Sequence, residues 1–242
     1  MTFHEQIQSG KRRFKGRTYQ ELDCSNIDAS DLELVDCTFE GVNFRGAMLE
    51  SLQARNCTFI ACNFTFATLS DAIFENSSFY QHNGECTFYE ADCRNTQFTE
   101  CDLRLASFER TRLFGSKFHK TNATGASFYR ADFNNAVTIT DCIFRMVDLR
   151  DAKLKACDCH KTKFDQADFS DADLSKSNLT ECDFAGAITR HTQFVEADLR
   201  GANVASFDIR QLDLTGATLY TEQQKMLLDG LGIIFVDQSS DD

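Results

Sequence analysis

Ala167-Asp168-Phe169-Ser170-Asp171-Ala172-Asp173-Leu174-Ser175-Lys176 is one five-residue phrase written twice: small, polar, Leu or Phe, polar, polar. The phrase returns at Ala197-Asp198-Leu199-Arg200-Gly201. Outward from there the large residue recurs at every fifth position, and we take it as the centre of each unit. The series Phe39, Phe44, Leu49, Ala54, Phe59, Phe64, Leu69, Phe74, Phe79 runs without a slip. It resumes at Phe88 and reaches Phe133, then restarts at Phe144 and passes Leu149, Phe164, Phe169, Phe184, Phe194 and Ile209 to Leu219. Weaker matches at Phe14, Tyr19, Cys24, Ala29 and Leu34 extend it toward the N-terminus. A period of five fits neither a helix nor a long flat strand, so each unit must end in a bend and the chain must coil.

In such a coil the centre and the small residue two before it point inward, and the other three positions face water. Every phenylalanine except Phe3, Phe66, Phe114, Phe207 and Phe235 falls at the centre. Rings of successive turns can therefore stack along the axis, with Phe39, Phe44, Phe59, Phe64, Phe164, Phe169, Phe184 and Phe194 as expected core. Alanines such as Ala47, Ala67, Ala126 and Ala172 recur at the other inward position and leave room for the rings.

Register also decides how the eleven cysteines are read. Cys37, Cys57, Cys62, Cys86, Cys101, Cys142, Cys157 and Cys182 hold the small position, while Cys24, Cys93 and Cys159 hold the centre. All are inward, where a free thiol acts as a small hydrophobe, so neither a disulfide framework nor a metal site is expected. The five histidines have no nucleophile in a consistent relation to them, and the carboxylates repeat along the surface instead of pairing in a cleft. With no phosphate-binding glycine loop either, the sequence points away from an enzyme and toward a chain without cofactors. The net charge of -12 disfavours direct nucleic-acid binding. No apolar run reaches a membrane span, and residues 1–10 lack a signal-peptide layout, so a cytoplasmic location is the expectation.

The repeat spans residues 14–219, after an N-terminal cap at 1–13. It resembles the pentapeptide-repeat family, which implies an all-β fold: a right-handed quadrilateral parallel β-helix with four units per turn. Two register breaks interrupt it, near 80–87 and 134–143. The first reads as one lost residue, because Phe79 to Phe88 is nine positions instead of ten; the second reads as one gained. After Leu219, Thr221-Glu222-Gln223-Gln224 reads as a capping box that opens a short helix ended by Gly230. Met226, Leu227, Leu228, Leu231, Ile233 and Ile234 within the segment 220–236 exceed what one rod end can bury and are the expected dimer interface; a tail follows at 237–242.

Phe207-Asp208-Ile209-Arg210-Gln211-Leu212-Asp213-Leu214-Thr215-Gly216-Ala217-Thr218-Leu219, with the leucines that follow, is similar to the C-terminal dimerisation module of the Qnr quinolone-resistance proteins. That resemblance implies a homodimeric, acidic, DNA-mimicking rod that binds type II topoisomerases, DNA gyrase or topoisomerase IV, and protects them from quinolones or a related toxin. Family members carry two long projecting loops, whereas the breaks here read as single-residue changes. Twenty-residue spacing stacks Asp148, Asp168 and Asp208 as a candidate acidic partner-binding face, with Ile188 interrupting and Arg150, Arg190 and Arg210 alongside. Residues 20–60 hold eight acids and two bases, just after the basic cluster Lys11, Arg12, Arg13, Lys15 and Arg17. The competing reading is a scaffolding module for a different protein partner.

Overall fold

Each five-residue unit lies on one face of a four-sided coil, as the computed structural model of residues 2–81, 84–134, 136–229 and 231 shows. On the first face, Arg13–Lys15, Glu33–Val35, Gln53–Arg55, Ile73–Glu75, Gln97–Thr99, Lys117–His119 and Thr138–Thr140 are parallel neighbours in that order. Single bridges carry this column on through Asp158, Asn178 and Asp198 to Thr218. The second face begins at Thr18–Gln20, Thr38–Glu40 and Thr58–Ile60. The third runs Asp23, Asn43, Asn63, Thr87, Ser107, Ser127, Asp148, Asp168, Ile188, and the fourth begins at Asp28 and Met48. The chain is thus a parallel β-solenoid, the fold that the sequence implies.

The corners explain the period. The residue two after most centres holds a positive φ, for example Asn26, Gly46, Phe66, Met146 and Lys176. At many corners the centre carbonyl accepts a bond from the N–H three residues on, as in Ala47 to Phe44 and Ala172 to Phe169, which closes a type II turn. A non-glycine residue at such a corner costs about 1–2 kcal/mol in the left-handed region. Stacking offsets this cost, because the corner N–H also donates to the next coil, Lys176 to Val195 at 2.8 Å.

Inside, the rings stack from coil to coil: Phe39 on Phe59 at 5.3 Å, Phe44 on Phe64 at 5.1 Å, Phe64 on Phe88 at 4.8 Å and Phe164 on Phe184 at 5.6 Å. Phe39, Phe44, Phe59, Phe64, Phe164, Phe169, Phe184 and Phe194 are each buried. Helix α1, Phe3–Gln8, is capped by Thr2 and drives Phe3 and Ile7 into the open first coil, where Phe3 lies 4.6 Å from Tyr19.

All eleven cysteines are free and buried, yet they do more than fill space. Where a corner lacks the turn bond, a thiol or hydroxyl at the small position of the next coil donates to the orphan centre carbonyl. Cys37 serves Phe14, Cys62 serves Phe39, Cys101 serves Phe74 and Thr121 serves Phe98. Burial pushes Cys101, Cys142 and Cys182 up to about 12, so these thiols keep the proton they donate.

Three expectations need correcting. The step from Phe79 to Phe88 is one unit plus four extra residues, because Asn63 pairs with Thr87 and Ser78 with Asp102. The excess leaves the rod as a hairpin, Tyr80–Gln81 antiparallel to Gly84–Glu85, with Gly84 so close to Ala61 that a Cβ there would lie 2.3 Å from the alanine methyl. In the last coil Phe207, not Ile209, fills the axis: it is buried at 5.0 Å from Phe194, while Ile209 is half-buried. The larger ring closes the end better than the aliphatic at the regular position. The capping box also forms one residue early. A 3-10 turn, Thr221–Gln223, precedes helix α2, Gln224–Asp229, and Gln223 accepts the Tyr220 N–H at 2.8 Å. Gly230 lies outside the described residues. At the second break Phe118 pairs with Ile139, so the single extra residue lies between Phe133 and Ile139.

Replacing Phe169 by Ala should cost about 3–5 kcal/mol, as large-to-small changes in packed interiors do. Lys176→Ala, at an exposed corner, should change stability by less than about 0.5 kcal/mol. Equal losses for the two in denaturant titrations would overturn the inward register.

Candidate protein-interaction surfaces

An Asp or Asn just before a centre is first a device of the backbone. Its side chain accepts the N–H two residues on: Asp148 from Arg150 at 3.1 Å, Asp168 from Ser170 at 2.9 Å and Asp208 from Arg210 at 3.2 Å. This Asx turn holds the strand into its corner. Asp148 and Asp168 are register partners and Asp168 pairs with Ile188; Asp208 lies one coil on, lining a shallow depression with Ile188, Arg190 and Gln211.

Two of these three carboxylates carry an arginine of their own. Arg150 meets Asp148 through Nε at 2.8 Å and Nη2 at 2.6 Å, and Arg210 meets Asp208 at 2.7 and 2.9 Å. Asp102 with Arg104 and Asp198 with Arg200 repeat the arrangement. The signal was in the sequence as Asp-x-Arg, since residues two apart on one strand share a face. Hydrogen bonds from Arg210 hold Asp208 down to about 2. For Asp148 burial pulls upward, but the Arg150 hydrogen bonds outweigh it and keep the carboxyl below its usual range.

The acids of residues 20–60 are held differently. Asn43 donates to Asp23, Asn56 to Asp36, Gln20 to Glu40 and Ser30 to Glu50, all neutral donors. Glu33 of the same band is the exception, paired with Arg13 at 2.6 Å, and the basic cluster Lys11 to Arg17 directly before the band offsets part of its charge.

The other candidate surface is the C-terminal end. Leu212, Leu214, Ala217, Leu219 and Leu227 pack only partly buried against the end of the core. Met226 is exposed, Leu228 and Leu231 are half-buried, and Ile233 and Ile234 lie outside the described residues, as does the tail at 237–242. Gln223, buried at 4%, fixes the helix to the last complete coil: its amide donates to the carbonyls of Leu199 and Ala202, both at 2.8 Å, and its oxygen accepts the Gly201 N–H. The apolar end is therefore rigidly presented and half covered.

The pattern of pentapeptide repeats matches in eight copies, over residues 23–59, 106–137, 136–171, 167–205 and 177–219. Three solved structures of QnrB1, described as a plasmid-mediated fluoroquinolone resistance protein, are similar in fold. One trypsin-treated variant has a TM-score of 0.72 and 24% identity, covering 93% of this chain and 100% of that one. A second gives 0.72 and 25%, covering 92% and 99%. The full-length protein gives 0.52 and 20%, covering 91% and 100%. No curated protein matches in sequence. Among the described residues no helix is long and apolar enough to cross a membrane, and no cluster of His, Cys, Asp and Glu is placed to hold a metal.

A carboxyl depressed by a partner contributes stability that is present above its unfolded pKa and lost as pH falls through the folded one. Arg150→Gln should therefore raise the titration midpoint of Asp148 in carboxyl NMR and start acid unfolding at a higher pH. An unmoved midpoint would show that the guanidinium does not set it.

Proposed function

This chain belongs to the pentapeptide-repeat family, and from that membership we propose that it is a non-catalytic, homodimeric ligand of a type II topoisomerase, DNA gyrase or topoisomerase IV, that shields the enzyme from quinolones or a related toxin. The observation that carries this reading is the correspondence with QnrB1 along nearly the whole of both chains.

The electrostatics supply a physical route. A rod of net charge -12 attracts a basic, DNA-binding surface and orients it before contact. Asp148, Asp168 and Asp208 form the proposed partner-binding face, a partly neutralised ladder in which Arg150 and Arg210 hold two of the three carboxylates. The four extra residues after Phe79 are accommodated by the antiparallel pair Tyr80–Gln81 and Gly84–Glu85.

In the proposed dimer a second copy covers Met226, Leu227, Leu228, Leu231, Ile233 and Ile234. A two-fold contact of this kind closes on itself and leaves no sticky end.

Purified protein at micromolar concentration should reduce ciprofloxacin-stabilised cleavage complexes of gyrase, or alter supercoiling. No effect on activity, inhibition or cleavage would sink the topoisomerase reading. Replacing Leu228 and Leu231 by Asp places charge where desolvation is costly, so light scattering should then report a monomer whose β signal is unchanged. A wild-type chain already monomeric at tens of micromolar would refute the dimer.

A further inference from the structure

The third face carries an outward column that the candidate carboxylate ladder does not include. Thr87, Ser107, Ser127 and Asp148 are register partners, and residues two apart on a strand share a face. Tyr89, Glu109, Tyr129 and Arg150 therefore stack in that order beside them. Glu109 and both tyrosines are half-buried, and the tyrosines lie two coils apart, about 10 Å at the usual strand spacing.

Ion pairing over this stretch singles out one group. Arg110 meets Glu90 at 3.5 Å, Arg130 meets Asp151 at 3.2 Å and Arg150 meets Asp148 at 2.6 Å. Glu109 is the carboxylate left over. Its Oε1 accepts the Ser127 hydroxyl at 3.1 Å, and among the described residues no cation pairs with it. Glu85, exposed at the end of the hairpin two residues before Thr87, adds a second negative charge at the edge of the face. Around Glu109 the surface is apolar as well as ionic. Phe66, Leu105 and Met146 are 43%, 42% and 55% exposed at the corners on either side, and Phe66 meets Tyr89 edge-on at 6.2 Å.

These two properties together define what can cover the face. Burying the exposed Phe66, Leu105 and Met146 is favourable, but a wholly apolar cover would strand the Glu109 carboxylate without water or a counter-charge. The covering surface must therefore bring a cation to that point. A guanidinium suits it better than an ammonium, because it is planar, weakly hydrated, stacks on aromatic rings and donates to a carboxylate. Tyr129 already accepts such groups from its own chain, with Arg130 and Arg150 over its ring at 5.0 and 5.4 Å. We propose that Glu109, set between Tyr89 and Tyr129, receives an arginine of the protein partner, and that the apolar surroundings of that arginine cover Phe66, Leu105 and Met146. The proposal rests on the topoisomerase reading, which supplies a partner with a basic surface, and it adds to that reading a contact residue outside the Asp148, Asp168 and Asp208 ladder.

The test measures association and dissociation rates of the full-length chain on immobilised gyrase for wild type, Glu109→Gln and Glu181→Gln. Glu181 sits at the corner between the first and second faces, where Lys161 pairs with it at 3.7 Å. Both variants remove one formal negative charge, so long-range attraction changes equally in the two. Loss of a desolvated ion pair acts on dissociation, so Glu109→Gln should leave about tenfold faster while Glu181→Gln leaves at the wild-type rate. Glutamine keeps the shape and an oxygen for Ser127, and the melting temperature should not move. If wild type binds and the two variants dissociate alike, or Glu109→Gln alters association alone, Glu109 is no contact point and the topoisomerase reading stands without it. Wild type that does not bind gyrase overturns that reading and this contact with it. A clear drop in the melting temperature of Glu109→Gln would mark the residue as structural and overturn the proposal.

Discussion

One left-handed residue per five turns the chain through a corner, and everything else in the molecule is arranged around that bend. It fixes the length of each strand at about three residues, which in turn fixes two inward positions per unit and leaves no space for a conventional core. The interior must then be assembled from stacked rings and small side chains, as Phe64 on Phe88 and Ala47 beside Phe44 show. Corner strain is borne because most corner N–H groups are bonded to the next coil and the rings at the centre positions are buried. Local cost and non-local gain are inseparable here, which is why a single unit has no structure of its own.

Much of this was legible in the sequence because ring burial leaves a strict period: Phe39, Phe59 and Phe169 announce their own positions. The register breaks were harder. Nine residues between Phe79 and Phe88 is equally two units less one and one unit plus four, and only the vertical partner, Asn63 with Thr87, separates them. Phe207 misled for a related reason. A period predicts the regular position, but the end of a rod is where regularity stops and the larger side chain wins the axis. The carboxylate ladder was read as a surface pattern because its twenty-residue spacing is obvious, whereas the two-residue spacing from Asp148 to Arg150 is hidden inside the repeat. Placing the cysteines inward was straightforward; their use as donors was not, since it depends on which corners lack a turn bond.

The same contrast separates formal charge from effective charge. Asp102, Asp148, Asp198 and Asp208 are held by arginines, while Asp23, Asp36, Glu40 and Glu50 are held by neutral donors. Carboxylates of equal formal charge therefore differ in what they present to a partner: those held by neutral donors keep their charge at contact range, and those held by arginines do not.

The thiol and hydroxyl ladder has a direction. Cys37 serves Phe14, Cys62 serves Phe39 and Thr121 serves Phe98; in each case the later residue completes the earlier coil. Gln223 adds a second donor to the Leu199 carbonyl, which the Ala202 N–H already serves. A chain leaving the ribosome N-terminus first thus supplies each of these donors after the coil whose carbonyl it serves. Synthesis and stacking run the same way, and the glutamine amide is the end-stop.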